Sequence, residues 1–232
     1  MTLKALIFDV DGTLAETEEI HRRAFNETFS DFGLDWLWDR DLYKELLHVT
    51  GGKERMRYFI EANSLPDRDR AFGLIAEIHA AKTSRYTSLI HAGAARLRPG
   101  VRELVLEAKT EGMKLAIATT TSLPNVEALI QVNWGTCPGD IFDVIAAGDE
   151  VPNKKPAPDV YLLALARLGL EPSCCIAFED SENGLKSALN AGLDTIVTVS
   201  GYSRDQDFSG ALVILPDLEK TVFSQLDGMR GN

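Results

Sequence analysis

The chain has 232 residues, 45% of them apolar and 25% charged, and carries a net charge of −11. That length suffices for one large domain or for a domain with a smaller insert. The negative charge argues against nucleic acid or an anionic membrane as a partner, and no apolar run approaches the length that spans a bilayer. Any phosphate ligand must therefore find its positive charge locally.

The amino terminus runs from Met1-Thr2-Leu3-Lys4 directly into Ala5-Leu6-Ile7-Phe8, without the regions of a signal peptide, which predicts a cytoplasmic protein. The three cysteines, Cys137, Cys174 and Cys175, show no metal-like spacing. The adjacent pair would point to opposite faces of a strand, so both are expected to be reduced core residues.

In chain order, Leu3–Phe8 is the first predicted strand. From Glu16 to about Ile90 no strand pattern appears, only the helical patterns Ile20–Phe32, Glu54–Ala62 and Arg70–Tyr86. Helices and strands then alternate. Val101–Glu111 is followed by the strand Leu115–Thr119, Pro124–Gln131 by Phe142–Ala147, and Pro158–Leu168 by Cys174–Phe178. Glu182–Asn190 precedes Thr195–Val199, and Leu212–Leu215 is a weaker sixth strand. Gly112, Gly169 and Gly192 stand where helices are expected to stop. The strands are continuously apolar, as in a parallel sheet covered on both faces. The pattern predicts an α/β protein with a doubly wound, Rossmann-like parallel-sheet core (residues 1–15 and 91–232). An all-helical cap domain (residues 16–90) is inserted after the first strand. The tail after Ser224 is expected to fray.

In open parallel sheets, ligands bind outside the carboxyl ends of the strands. The first strand ends in Asp9-Val10-Asp11-Gly12-Thr13, the second in Thr119-Thr120-Thr121-Ser122. The third leads to Gly148-Asp149-Glu150 and then Lys154-Lys155-Pro156, and the fourth ends in Glu179-Asp180-Ser181. Carboxylates gathered at one edge repel each other unless a cation sits among them. An oxygen-only donor set suits Mg²⁺ better than zinc. Lys155 and the Thr119 hydroxyl can meet phosphoryl oxygens, which completes what in-line phosphoryl transfer needs. Each piece has a plainer reading: Asp-Gly as a turn, Lys154-Lys155 as a solvated pair, Glu179-Asp180 as a helix cap. An EF-hand fails at Thr13 and Leu14, and a phosphate loop at Gly51-Gly52-Lys53 fails at Leu47. Four such signals at successive strand ends point to one site.

These residues resemble the haloacid-dehalogenase-like hydrolase superfamily, with Asp9-Val10-Asp11-Gly12-Thr13 as its first motif, Thr119 its second, Lys155 its third and Glu179-Asp180 its fourth. The resemblance spans essentially the whole chain. It implies that Asp9 is a nucleophile forming an aspartyl-phosphate and that Asp11 is the general acid and base. It also implies Mg²⁺ held by Asp9, the Asp11 backbone carbonyl and Asp180, with Glu179 ligating or orienting through water. Within the superfamily the chain looks most like CbbY-type sugar phosphatases, on the stretches Glu16–His21, Thr50–Arg55 and Asn153–Asp159. That resemblance implies hydrolysis of xylulose 1,5-bisphosphate at carbon 1 to xylulose 5-phosphate, which clears an inhibitory by-product of Rubisco in carbon-fixing cells.

A bisphosphate needs donors far from the metal. Lys53, Arg55 and the Gly51 and Gly52 amides are the best placed by sequence, with Thr50 and Thr120 as further substrate contacts. Glu16 and His21 lie just past the hinge, within reach of sugar hydroxyls, although His21 beside Arg22 and Arg23 reads equally as a surface residue. His48, His79 and His91 carry no partner signal, and Trp36, Trp38 and Trp134 read as packing. Lys82 and Arg85 fit either the cleft or a solvated helix face. The partner is a small phosphorylated sugar, and no obligate protein partner is evident. A β-phosphoglucomutase-like enzyme shares this scaffold, as would a non-catalytic sugar-phosphate sensor. A dehalogenase or a phosphonatase is disfavoured by Asp11.

Overall fold

The computed structural model describes residues 2–65, 68–221, 225, 226 and 228. Its spine is β1 (Ala5–Phe8), four residues with no exposed surface. On one side β1 pairs in parallel with β2 (Lys114–Thr119), and on the other with β4 (Cys175–Glu179). Then β3 (Val144–Ala147), β5 (Asp194–Thr198) and β6 (Val213–Leu215) complete a six-stranded parallel sheet of order β3-β2-β1-β4-β5-β6. The order reverses between β2 and β4, and the site opens above that switch point.

Alternation along the strands divides the core. Leu6, Phe8, Ile117, Ile176 and Phe178 pack on one face against α5 (Val101–Thr110) and α6 (Leu123–Trp134). Ala5, Ile7, Ala116, Ala118 and Ala177 face α8 (Asp159–Leu168) and α9 (Glu182–Asn190). The first face is bulky, with Phe8 stacked on Phe178 at 4.6 Å between centroids. The second is alanine-rich, which lets the helices approach closely and brings side chains of α8 up to the strand ends. Helices α5, α8 and α9 are each followed by a glycine in the left-handed region, Gly112, Gly169 and Gly192, as expected. Cys175 opens β4 while Cys174 closes the preceding 3₁₀ turn. As expected, Cys175 is buried, whereas Cys174 is only half-buried, and Cys137 is exposed.

Among the described residues from Glu16 to His91 there is no regular strand. The segment forms α1 (Glu18–Asp31), α2 (Arg40–Leu46), α3 (Gly52–Ala62) and α4 (Arg68–His91). It owns a cluster around Phe25, Phe29, Trp36, Trp38, Phe59 and Ile78, separate from the sheet cores. Helix α2 was not expected. Seven residues are too few for an amphipathic period to show, but Asp39 caps it by accepting from Leu42 N at 2.8 Å. The short α7 (Pro138–Ile141) escaped notice for the same reason. Tyr202, from the loop after β5, is buried in the helical cluster and donates through its hydroxyl to Glu19 on α1.

Where the chain leaves and re-enters the sheet domain, Asp11 and Ala15 form one β-bridge and Ala15 and Leu97 another. The buried Arg98 guanidinium donates to the carbonyls of Gly12, Thr198, Val199 and Pro216, the last three at 2.8 Å. Of the tail after Ser224, only residues 225, 226 and 228 are described.

Trp38 is wholly buried and packs on Phe25 and Phe29 with ring centroids 4.8 Å away. Trp38→Ala is expected to cost about 3–5 kcal/mol, measured by equilibrium denaturant unfolding.

Candidate active site

The sheet register sets the site. Phe8 lies opposite Ile117 on β2 and Phe178 on β4, so Asp9 and Glu179 emerge side by side, with Thr119 one residue further along β2. Lys155, from the loop after β3, reaches between them. Its ammonium donates to Asp9 Oδ1 and to Glu179 Oε1, each at 2.6 Å. Burial opposes that positive charge, but the two carboxylates more than offset it and hold the lysine protonated well above its ordinary range. Burial lifts the Asp9 carboxyl to about 8, with Lys155 opposing and Glu179 adding to the rise. Asp180 is likewise pushed well up, by burial first and then by the charges of Asp9 and Glu179.

Asp9, Glu179 and Asp180 are all buried and place ligand oxygens within 4.8 Å of one another. One lysine cannot neutralise three carboxylates. Gly12 lets them meet: its backbone is left-handed, with φ of 82°, and a Cβ there would stand 2.1 Å from Asp180 Oδ2. The oxygen-only donors and the unrelieved repulsion fit a hard divalent cation such as Mg²⁺.

Asp11 differs. Its Oδ1 accepts from Thr17 Oγ1 at 2.6 Å and lies 3.0 Å from His21 Nε2. Burial would raise this carboxyl, but His21, Thr17 and Lys82 outweigh it and hold Asp11 well below the usual range. Behind it, Lys82 Nζ lies 2.6 Å from His21 Nδ1, and the imidazole stacks on Tyr86 at 4.0 Å. A lysine donating to Nδ1 leaves the imidazole proton on Nε2, directed at Asp11. Burial depresses Lys82 to about 7, although Asp11 attracts its charge.

Above these groups lies a cavity of about 370 Å³. Of the residues singled out by sequence, Asp9, Asp11, Thr119, Thr120, Lys155 and Asp180 line its floor, and His21, Thr50, Gly51, Gly52 and Arg55 line its helical side. Glu16, Lys53 and Glu179 do not line it. Glu16 accepts from Gly201 N at 3.2 Å, Lys53 pairs with Asp149 at 2.5 Å, and Glu179 is sealed behind Lys155. Arg55 already donates to the carbonyls of Leu46 and Val49 and, at 3.1 Å, to the Tyr43 hydroxyl. His21 is buried, which removes its surface reading. Lys82 is buried too, whereas Arg85 pairs with Asp31 and Glu27 at the surface.

Several site residues carried no sequence signal. His79, half-buried on α4, lines the cavity. Burial, then the charges of Lys82 and Lys53, lower it to about 4. Glu18 accepts from Tyr43 at 2.8 Å, and Asn125 donates to the Thr121 hydroxyl at 2.9 Å. The i, i+3 spacing of His79 and Lys82 on one helix face was the available clue.

A family profile described as haloacid dehalogenase-like hydrolase matches residues 3–192, and the chain belongs to that family. Within it the likeness runs to the CbbY proteins. The chain is 57% identical over 218 residues to Protein CbbY of Rhodobacter capsulatus, covering 94% of this chain and 95% of the relative. The crystal structure of CbbY from Rhodobacter sphaeroides in complex with phosphate superposes with a TM-score of 0.91 at 50% identity, covering 97% of this chain and 100% of that one. A mutant of that protein in complex with xylulose-(1,5)bisphosphate gives 0.89 at 51% identity, covering 94% and 96%. The enzyme class these matches support is a sugar phosphatase. No helix among the described residues is long and apolar enough to cross a membrane.

The raised Asp9 carboxyl binds more protons in the folded than in the unfolded chain between the ordinary carboxylate range and about pH 8, and Asp180 shifts in the same direction. Without metal, stability should therefore fall as pH rises through that window. A divalent cation relieves the repulsion, so the increase in Tm on adding Mg²⁺ is expected to be larger at about pH 8 than at about pH 5.5 by scanning calorimetry.

Proposed function

We propose that the chain hydrolyses the carbon-1 phosphate of xylulose 1,5-bisphosphate in a Mg²⁺-dependent reaction through an aspartyl-phosphate on Asp9. The observation that carries this reading is the buried cluster of Asp9, Lys155, Glu179 and Asp180 opening into a cavity that Asp11 also lines. Asp9, Asp180 and the Asp11 backbone carbonyl would hold Mg²⁺, with Glu179 beside them. When bound, the ion supplies positive charge that keeps Asp9 ionised and draws in the phosphoryl oxygens.

Lys155 occupies Asp9 Oδ1, which leaves Oδ2 as the attacking oxygen. An ammonium has three donors; two are engaged with Asp9 and Glu179, and the third is free for a phosphoryl oxygen. The Thr119 hydroxyl accepts from Thr121 N at 3.2 Å, so its own hydrogen can point to another. Asp11 passes to the departing sugar oxygen a proton that it takes up as the anionic phosphate enters beside it and, ionised again, takes a proton from the water that cleaves the aspartyl-phosphate. The Lys82–His21 pair steadies that carboxylate in its ionised, water-activating form.

The insert, residues 16–90, serves as a cap that excludes bulk water from the intermediate. Within it, Arg55 and the Thr50-Gly51-Gly52 turn are suited to the distal phosphate, since they line the cavity opposite the carboxylate cluster's floor residues. Glu16 and Lys53 act instead from outside the cavity. Lys53 bonds to Asp149 across the cleft, and Glu16 anchors to the backbone of the loop carrying Tyr202.

The mutase alternative differs only in the acceptor of the phosphoryl group. A phosphate-release screen of xylulose 1,5-bisphosphate, ribulose 1,5-bisphosphate, glucose 1-phosphate and glucose 6-phosphate, with products identified, separates the two. Release of one phosphate from xylulose 1,5-bisphosphate, leaving xylulose 5-phosphate, is expected; interconversion of the glucose phosphates would overturn the reading. Asp9→Asn should abolish turnover. Asp11→Asn should lower kcat by about 10²–10⁴-fold while the protein still binds Mg²⁺, because the backbone carbonyl is retained.

A further inference from the structure

Tyr161 on α8 has no part in the reading above, yet it touches two groups on which that reading depends. It is wholly buried, and its hydroxyl donates to Glu179 Oε1 at 2.5 Å. The same oxygen accepts from Lys155 Nζ at 2.6 Å. The Lys155 ammonium also lies 5.1 Å from the centroid of the Tyr161 ring, within the range of a cation–π contact. One side chain thus meets the cation with its ring and the anion with its hydroxyl.

The opposite side of Glu179 is closed by α9. A Cβ on Gly184 would fall 1.9 Å from Glu179 Oε2, so the carboxylate lies where only a glycine leaves room. With Tyr161 and Lys155 at Oε1 and the first turn of α9 at Oε2, Glu179 is seated from both directions. It has no exposed surface, and a buried carboxylate that loses a donor bears the full cost of its desolvation.

We infer that Tyr161 is a positioning residue for phosphoryl transfer, holding Glu179 on Lys155 and, through Lys155, fixing the Asp9 carboxylate with one oxygen engaged and the other directed at phosphorus. The inference rests on the reading of Asp9, Lys155 and Mg²⁺ proposed above. Tyr161 is remote from the sugar, because it does not line the cavity; its loss should therefore alter the chemical step and not substrate binding. Its hydroxyl also draws charge from Glu179. Without it the repulsion in the metal-free cluster is less compensated, and a bound cation relieves more.

Tyr161→Phe keeps the ring, the packing and the cation–π contact and removes only the hydroxyl. The expected result is a kcat lower by about 10–100-fold with KM nearly unchanged. The gain in Tm on adding Mg²⁺, read by calorimetry without substrate, should exceed that of the wild type. Val160→Ala is the control for damage to α8: Val160 is buried in the same cluster, and its loss should lower Tm equally with and without Mg²⁺ and leave kcat as it was. A Tyr161→Phe enzyme with wild-type kcat, or with equal Tm losses in the two conditions, overturns the assignment. A wild-type protein whose Tm ignores Mg²⁺ instead overturns the metal-dependent reading beneath it, so the two failures are distinct.

Discussion

Everything at the strand ends depends on the Lys155 ammonium standing between Asp9 and Glu179. Two carboxylates at the ends of adjacent parallel strands would otherwise be held at close range by the sheet itself, with burial raising the cost of each charge. The lysine makes that juxtaposition tolerable, and the carboxylates in turn keep it charged where burial alone would discharge it. The balance is incomplete, since Asp180 adds a third negative charge. That remainder is what makes the site receptive to a divalent cation and, with the cation, to phosphate.

The acidity of the whole chain is thereby reconciled with an anionic ligand. Positive charge is concentrated rather than abundant: Lys155 at the floor, and Lys82 and Arg55 on the helical wall. Each of the three is buried, so none is screened as surface charges are. Asp9 and Asp11, two residues apart, show how strongly surroundings decide behaviour. Burial raises the first, which shares its lysine with Glu179, while two direct donors lower the second, with a lysine behind them.

The sheet was legible because each strand is an unbroken apolar run followed by a polar change, and parallel strands buried on both faces leave that trace. All six strands and the four helices expected in the sheet domain lie within a few residues of their expected positions. The helical segment was less legible. Helix α2 is too short to show a period, so Tyr43 and its links to Glu18 and Arg55 went unseen. His21 was ambiguous because its neighbours Arg22 and Arg23 are charged, while its own face of α1 turns inward to Asp11. Lys53 seemed suited to a phosphate by its glycines, but its long side chain reaches Asp149 instead. Tyr161 carries no local signal; its hydroxyl acquires meaning only once Glu179 is seen opposite. Contacts between distant segments leave no local signature, and most of the site's supporting residues are of that kind.

Arg98 shows how an insertion of this size can sit beside a demanding site. The chain leaves the sheet just after Asp11 and returns at Leu97, so strain in the helical segment would arrive at the reactive turn itself. The guanidinium pins that turn, through the Gly12 carbonyl, to the ends of β5 and β6. The junction thus behaves like the foot of a bridge, taking the load into the sheet before it reaches Asp9. The helical segment is left free to be rebuilt around different ligands while Asp9 and Asp11 keep their places.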